Sequence, residues 1–388
     1  MTFGPRNIHT HSDRLERWLG APAVERMTHA MRHWYGPPIA VSGVPGAVYA
    51  VKGGDFIGRI DAGQEVSAID RAVMRLSRIN ETLKRERRHN FARRGLLTGQ
   101  LGAFGSLSAL IAAATGGKAQ QIIFSKTGVA ANATGNSNDL WTRVGTPAAG
   151  AAGAAAPGGT ATVNTTTGNW GYQNPTNANT GHYTGAVISC LIANNTMLLT
   201  DQLLRVAKTM NSSATEAVTG TFARYQNQTV ATDDYIGGNF CFPSNPTTVL
   251  AGTAHNWTVG KYTDDAGNTG QSFPSIVGVS ACVVGGIDLA VSAPSWFMPL
   301  AAGDVGVKAL TQMQCSALVA TGTIDFVVAH PIAFFPCPIA TLFCPFDGVN
   351  TAFNLTKIYD NACLSALELI KPSTTLSQYT GQISLCAE

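Results

Sequence analysis

The chain has 388 residues, of which 45% are hydrophobic and only 13% charged, with a formal net charge of +3. That charged share is about half the ordinary globular one, which excludes a disordered polyampholyte, a long coiled-coil rod and a surface built to saturate nucleic acid. Such a length holds about two to three domains with real cores. The 41 glycines, among abundant Ala, Thr, Ser and Asn, favour a turn-rich β protein whose surface is largely covered by neighbours.

The charge is unevenly placed. Residues 1–100 contain 16 Lys/Arg against 9 Asp/Glu, whereas the remaining 288 contain 10 against 14. Residues 1–58 read as an extended arm: Asp13 caps a short helix through Trp18, and a second helical stretch runs from Val24 to Trp34. The latter stops at Tyr35-Gly36-Pro37-Pro38, because proline lacks an amide donor and restricts the residue before it. From Ile39 to Phe56 small and apolar residues alternate, as in a hairpin.

Residues 59–117 begin with the clearest helix, over 64–94. Val66, Ile69, Val73, Leu76, Asn80 and Leu83 recur at three- and four-residue spacings and fit the a and d positions of a short heptad seam. They are read either as an oligomer interface or as one helix lying on its own domain. Arg71, Arg75, Arg78, Arg85 and Arg88 form a basic face able to neutralise phosphates without reading bases, since no aromatics are interleaved. Its C-terminal charges also complement the helix dipole. The uncharged stretch 96–115 has spanning length, but Gly99, Gly102, Gly105 and Gln100 dilute it, so no membrane span is expected. An interface segment is the better reading.

Beyond Gly117 the pattern turns to β. Gln120–Ser125 is a strand, and Gly145–Gly168 is an Ala/Gly/Thr tract with too little side chain for a core of its own, expected to lie over a neighbour or loose on the surface. Further β-like runs are Ala186–Ala193, Thr196–Leu203, Ser275–Val284, Val305–Leu310, Thr323–Ala329, Ala340–Cys344 and Cys363–Leu369. Their spacing implies a sandwich or barrel rather than βαβ units. Asp264–Gly270 reads as a polar hairpin loop. The expected architecture is mainly β, a jelly-roll or β-sandwich-like C-terminal region behind a helical, basic N-terminal arm, α+β overall. A break near Pro243–Pro246 suggests domains at 118–245 and 246–388.

Catalytic motifs are sparse. The eight cysteines all lie beyond residue 189 without a C-x-x-C pair and read as reduced, buried hydrophobes. Ala114-Thr115-Gly116-Gly117-Lys118-Ala119 departs from a phosphate loop in both its first glycine and the residue after lysine. His29 and His33, or His9 and His11, lack a partner ligand, and Asp264, Asp265 and Asn268 lack calcium-loop spacing. Neither an enzyme nor a cofactor is expected.

Ser137-Asn138-Asp139-Leu140-Trp141, Gly145-Thr146-Pro147-Ala148-Ala149-Gly150, Tyr262 through Gly270 and Ala302-Gly303-Asp304-Val305-Gly306-Val307 together resemble a module of tailed-bacteriophage virion proteins. The resemblance covers roughly 118–388. It implies a β-sandwich structural subunit of the particle, without catalytic residues, made in the host cytoplasm and located in the virion. The expectation is a symmetric homo-oligomer, a trimer by preference, acting as a capsid or decoration subunit in or on the head. Its partners are itself and other virion proteins, with non-specific contact to the DNA backbone through the basic helix. The alternative is a tail, neck or fibre component that binds a host glycan, with Trp141 and Trp170 stacking on sugar. Burial of these indoles in the core is the favoured reading.

Overall fold

The computed structural model describes residues 104 and 107–387, except 130–132, 176–180, 227–237, 291–295 and 349–355, together with strand segments at 39–40, 48–52 and 55–59. The chain divides into two units, Met1–Leu97 and Thr98–Glu388. The arm helices and the 64–94 helix, with its seam from Val66 to Leu83 and its arginines from Arg71 to Arg88, lie outside the described residues. In the first unit, β1 (Ile39–Ala40), β2 (Val48–Lys52) and β3 (Asp55–Arg59) pair antiparallel in that order, and the β2–β3 pair is the hairpin expected there.

The second unit opens with helix α1 (Leu107–Ala113), and a π-turn carries the chain into β4 (Ala119–Thr127). Short strands β5 (Asn138–Asp139), β6 (Gly145–Thr146), β7 (Ala154–Ala155) and β8 (Thr160–Ala161) lead to the long pair β9 (Gly181–Cys190) and β10 (Asn195–Thr209). Then come β11 (Glu216–Ala217), β12 (Phe240–Ser244), β13 (Asn256–Asp264), β14 (Gln271–Ser272) and β15 (Ile276–Val277). The last six are β16 (Val307–Cys315), β17 (Thr323–Cys337), β18 (Cys344–Asp347), β19 (Lys357–Ile358), β20 (Leu364–Leu369) and β21 (Gln378–Ala387). The unit is mainly β, as expected.

Three sheets result. The central one has the order β12-β17-β10-β20-β5, with β7 and β8 also on β10. One flanking sheet runs β18-β9-β21-β4-β6 with β19 on β9, and the other runs β11-β16-β13-β14 with β15 on β13. The central sheet is buried on both faces because successive side chains point opposite ways. Met197 and Leu199, with Leu364 and Ala366, join Ile122, Phe124, Ile188, Tyr379 and Ile383 of one flanking sheet. Leu198 and Val206, with Leu367 and Leu369, join Trp257, Tyr262, Leu310 and Met313 of the other. A strand wet on one face alternates apolar with polar, whereas one buried on both reads as a continuous apolar run, as Leu198-Leu199 and Leu203-Leu204 do in β10.

The prolines of β17 mark where it departs from a regular central strand. Leu199 opposes Ala333 and Thr200 opposes Pro331, so Ile332 is a bulge residue, and β12 pairs only with 325–329. Pro331 and Pro336 therefore lie where the second ladder of β17 is unpaired, the place a sheet tolerates a missing donor.

Two expectations are corrected. Residues 118–245 and 246–388 do not form separate sandwiches, since β9 pairs with β18 and β21, and β10 with β17 and β20. The tract 145–168 is neither loose nor laid on a neighbour. Its β7 and β8 pair with β10, and a methyl group at Gly153 would come within 2.6 Å of the Arg205 carbonyl oxygen. Small residues are there because the loop backbone lies directly on the central sheet. Ser275–Val284 is strand only at β15, and Ala340–Cys344 is mostly the turn before β18.

Both faces of β10 feed a core, so Leu198→Ala and Leu199→Ala should each cost about 2–5 kcal/mol. Urea unfolding of the two variants checks this; a loss well below that range in either would mean its face is not buried.

Candidate functional site

The charged residues of the central sheet are buried with its apolar ones. Arg205 on β10 lies between Asp139 of β5 and Asp325 of β17, with 3.0 Å contacts from Nη1 to Asp139 Oδ2 and from Nε to Asp325 Oδ2. Gln202 Oε1 accepts from Arg205 Nη1, Ser244 Oγ donates to Asp139, and the Gly153 amide donates to Asp325. Burial opposes the guanidinium charge, but the two carboxylates outweigh it and hold the Arg205 pKa above its ordinary value. One step along, Arg224 grips both oxygens of Asp201 at 2.8 Å and donates to the Thr162 and Gln202 carbonyls. Glu368 receives the amides of Asn138 and Asn195, each at 2.6 Å. Lys126, also enclosed, donates to the carbonyls of Arg143 and Ala148, and burial lowers its pKa to about 8 against the pull of Asp139.

His255 occupies a second buried polar cluster. Its Nε2 is 2.9 Å from Asp288 Oδ2 and its Nδ1 3.0 Å from the Thr253 carbonyl. Both partners are acceptors, so both ring nitrogens carry a proton and neither keeps a lone pair for general-base work. Burial disfavours this imidazolium, yet the hydrogen bond and charge of Asp288, helped by Thr253, raise its pKa. Asp288 also receives the Trp257 indole N–H and the Val279 amide. A Cβ at Gly278 would fall 2.3 Å from the imidazole, which explains glycine there. His330 is the opposite case: burial lowers its pKa to about 3, and its ring stacks on Tyr225 at 3.9 Å while Nδ1 meets Asn239 Oδ1.

Trp141 and Trp170, named as sugar-stacking residues, are core residues. Trp141 is 1% exposed, its indole N–H donates to the Ala151 carbonyl, and Arg205 lies over its ring at 5.2 Å. Trp170 is fully enclosed and stacks on Phe124 at 4.7 Å. Trp257 and Tyr172 are equally buried. None of these four rings offers a face to a glycan, which corrects that assignment.

A pocket of about 280 Å³ opens between the start of β4 and the end of β21, lined by Lys118, Gln120, Tyr172, Gln173, Asn174 and Cys386 among others. Gln120 spends its carboxamide on the Gly171 carbonyl and the Gln173 amide, and Asn174 bonds to Asn361. These groups hydrogen-bond; a carboxylate or imidazole to move a proton is not in the lining. The Gly116-Gly117-Lys118 segment follows a helix and precedes a strand, the reverse of a phosphate loop. Asp264 is the cap of its own turn, accepting from the Asn268 amide and Nδ2 at 2.7 Å each; that side-chain bond leads in lowering its pKa.

Among the described residues no group of three or more His, Cys, Asp and Glu side chains is placed to hold a metal ion. All eight cysteines are free thiols, and all but Cys344 are buried. Burial raises the thiol pKa of Cys337 to about 12 and that of Cys241 further. No described helix is long and apolar enough to cross a membrane.

The feature that sequence reasoning missed is on the surface. In the turn between β17 and β18, Ile339, Leu342 and Phe343 are each at least half exposed, and Leu191 lies exposed nearby, where the Thr341 amide bonds to the Cys190 carbonyl. Read as a strand, this run passes for core; its signal is Pro336 and Pro338 just before it. Soluble surfaces seldom leave so many large apolar residues side by side without a partner. Comparison with protein-family models, with curated proteins and with solved structures finds no match.

Removal of Arg205 strands two buried carboxylates, so Arg205→Met should cost about 3–5 kcal/mol by urea unfolding. His255 yields a pH signature. Its contribution is fully present below about pH 6.5, the ordinary imidazole value, and is lost as pH rises through the raised folded-state value. The gap in unfolding midpoint between wild type and His255→Gln should therefore narrow above about pH 6.5; a constant gap would mean a neutral His255.

Proposed function

We propose that this chain is a structural protein of a tailed-bacteriophage virion, a symmetric homo-oligomer in or on the head. The observation that carries the reading is the exposed apolar turn at Ile339, Leu342 and Phe343 beside a flanking sheet whose outer face is almost free of charge. A subunit whose surface is covered by neighbours has that character, and a freely soluble monomer avoids it. The resemblance of residues 118–388 to phage virion modules and the low charged share of 13% support the same reading.

In this reading the subunit acts by assembly. The β body provides a stiff building block, and the N-terminal basic residues meet other virion proteins or the DNA backbone. A trimer is the expected closed ring. A tail or neck position differs from a head position in copy number, so one experiment separates them.

Light scattering of the purified chain should give a trimer or larger closed oligomer. Quantitative mass spectrometry of particles should find tens to hundreds of copies. A few to a dozen copies would move the subunit to the neck or tail, and a stable folded monomer missing from particles would overturn the proposal.

A further inference from the structure

The outer face of the sheet β18-β9-β21-β4 carries one in-register row, Pro345, Val187, Gln382 and Ile123. Ile123 is 72% exposed and Val187 43%. At one end the face is already closed, where Phe104 and Leu110 pack on Cys386 and Phe104 meets the His182 ring edge-on. On the rest of this face the ionisable side chains of the described paired strands are Asp347 and Lys357, both on the edge strands beside β9.

We infer that this face stacks on the same face of a second copy of the chain, about a two-fold axis running along β21. The inference rests on the reading of the chain as a self-assembling subunit and names the surface it uses. A two-fold contact must be its own complement. Ionised groups at the axis would meet their own like charge, whereas hydroxyls and carboxamides each carry both a donor and an acceptor. The outward residues of β21 are Gln378, Thr380, Gln382 and Ser384, all of that self-pairing kind. With β21 facing its copy, the neighbouring strands β4 and β9 exchange places across the axis. Ile123 of each copy then rests on Val187 of the other, apolar on apolar. The exposed apolar turn at Phe343 reaches the β4–β6 side of the partner, where Val144 is 64% exposed.

Other occupants fit less well. Nucleic acid and anionic lipid surfaces both require a density of Lys and Arg that this face lacks. Edge pairing is disfavoured at β18, a short strand of four residues containing Pro345. Strands about 4.8 Å apart rising about 3.4 Å per residue give the face roughly 500 Å² in projection. With the apolar turn added, it approaches the about 800 Å² that one partner contributes to a standard interface. A two-fold contact also joins closed rings to one another, which a shell needs.

The test is cysteine cross-linking of the full chain under mild oxidation, beside its light-scattering mass. Gln382→Cys should form a disulfide with its own copy, giving a dimer band that wild type lacks. Ile123→Cys and Val187→Cys should cross-link when mixed and only weakly alone. Gln382→Lys, which brings like charges together at the axis, should lower the assembled mass by about half with an unchanged circular dichroism spectrum. If wild type assembles but none of these variants cross-links and Gln382→Lys keeps its mass, this inference is overturned and the assembling subunit stands. If wild type is monomeric at micromolar concentration, both fall.

Discussion

The guanidinium of Arg205 is the point on which the body of this protein depends. It lies in the middle of the longest strand pair, between a carboxylate from β5 and one from β17, and under the Trp141 ring. A charge taken from water at that depth is tolerable only with partners on several sides. Those partners come from positions 139, 202 and 325, and position 153 binds the second carboxylate. An apolar core would accept many small shifts in strand register. This cluster accepts few, because each shift would leave an ion without its counter-ion.

The central sheet works as a shared wall. One face serves the core with β9, β21 and β4, and the other serves the core with β13 and β16. Neither flanking sheet has a core without it, so the two halves of the sequence are interdependent although no helix among the described residues links them. Polar groups enclosed in this wall give it a single register, whereas hydrophobic burial provides most of the favourable free energy. Exposed apolar side chains lie outside this wall, among them those on the free face of one flanking sheet and the turn beside it. The enclosed ions and histidines hold the fold together through bonds to one another and to the backbone, although Arg205 Nη2 and Asp325 Oδ1 are left without a partner.

The sequence revealed the class of fold and most long strands, because β4, β9, β10, β16, β17 and β20 carry apolar residues in short runs or in alternation. It did not reveal which strands pair, and the division at 245/246 failed for that reason: local turn chemistry near Pro243–Pro246 says nothing about partners a hundred residues away. The tract 145–168 was misread because a residue with no side chain gives no sign of what lies against it; Gly150 and Gly153 make sense only beside Trp141 and Arg205. Asp201, Arg205 and Lys208 were visible in an apolar run, yet nothing local distinguishes a paired ion from a solvated one. Burial of the indoles was the favoured reading, whereas the apolar turn at 339–343 resembled a core strand until exposure was known.

The position of β21 has a consequence for how the chain is made. Its neighbour β4 must wait for a partner about 250 residues further along. At ribosomal rates of about 5–20 residues per second this is on the order of ten to fifty seconds. Throughout that time the side of β4 that β21 will occupy is an open edge, and Ile122 and Phe124 lie outside a completed sheet. Synthesis and folding of this unit are therefore out of step, and the nascent chain is exposed to pairing with its own kind on a polysome. A chaperone that shields the first strands until β21 arrives would govern the yield of folded chain more than its final stability does.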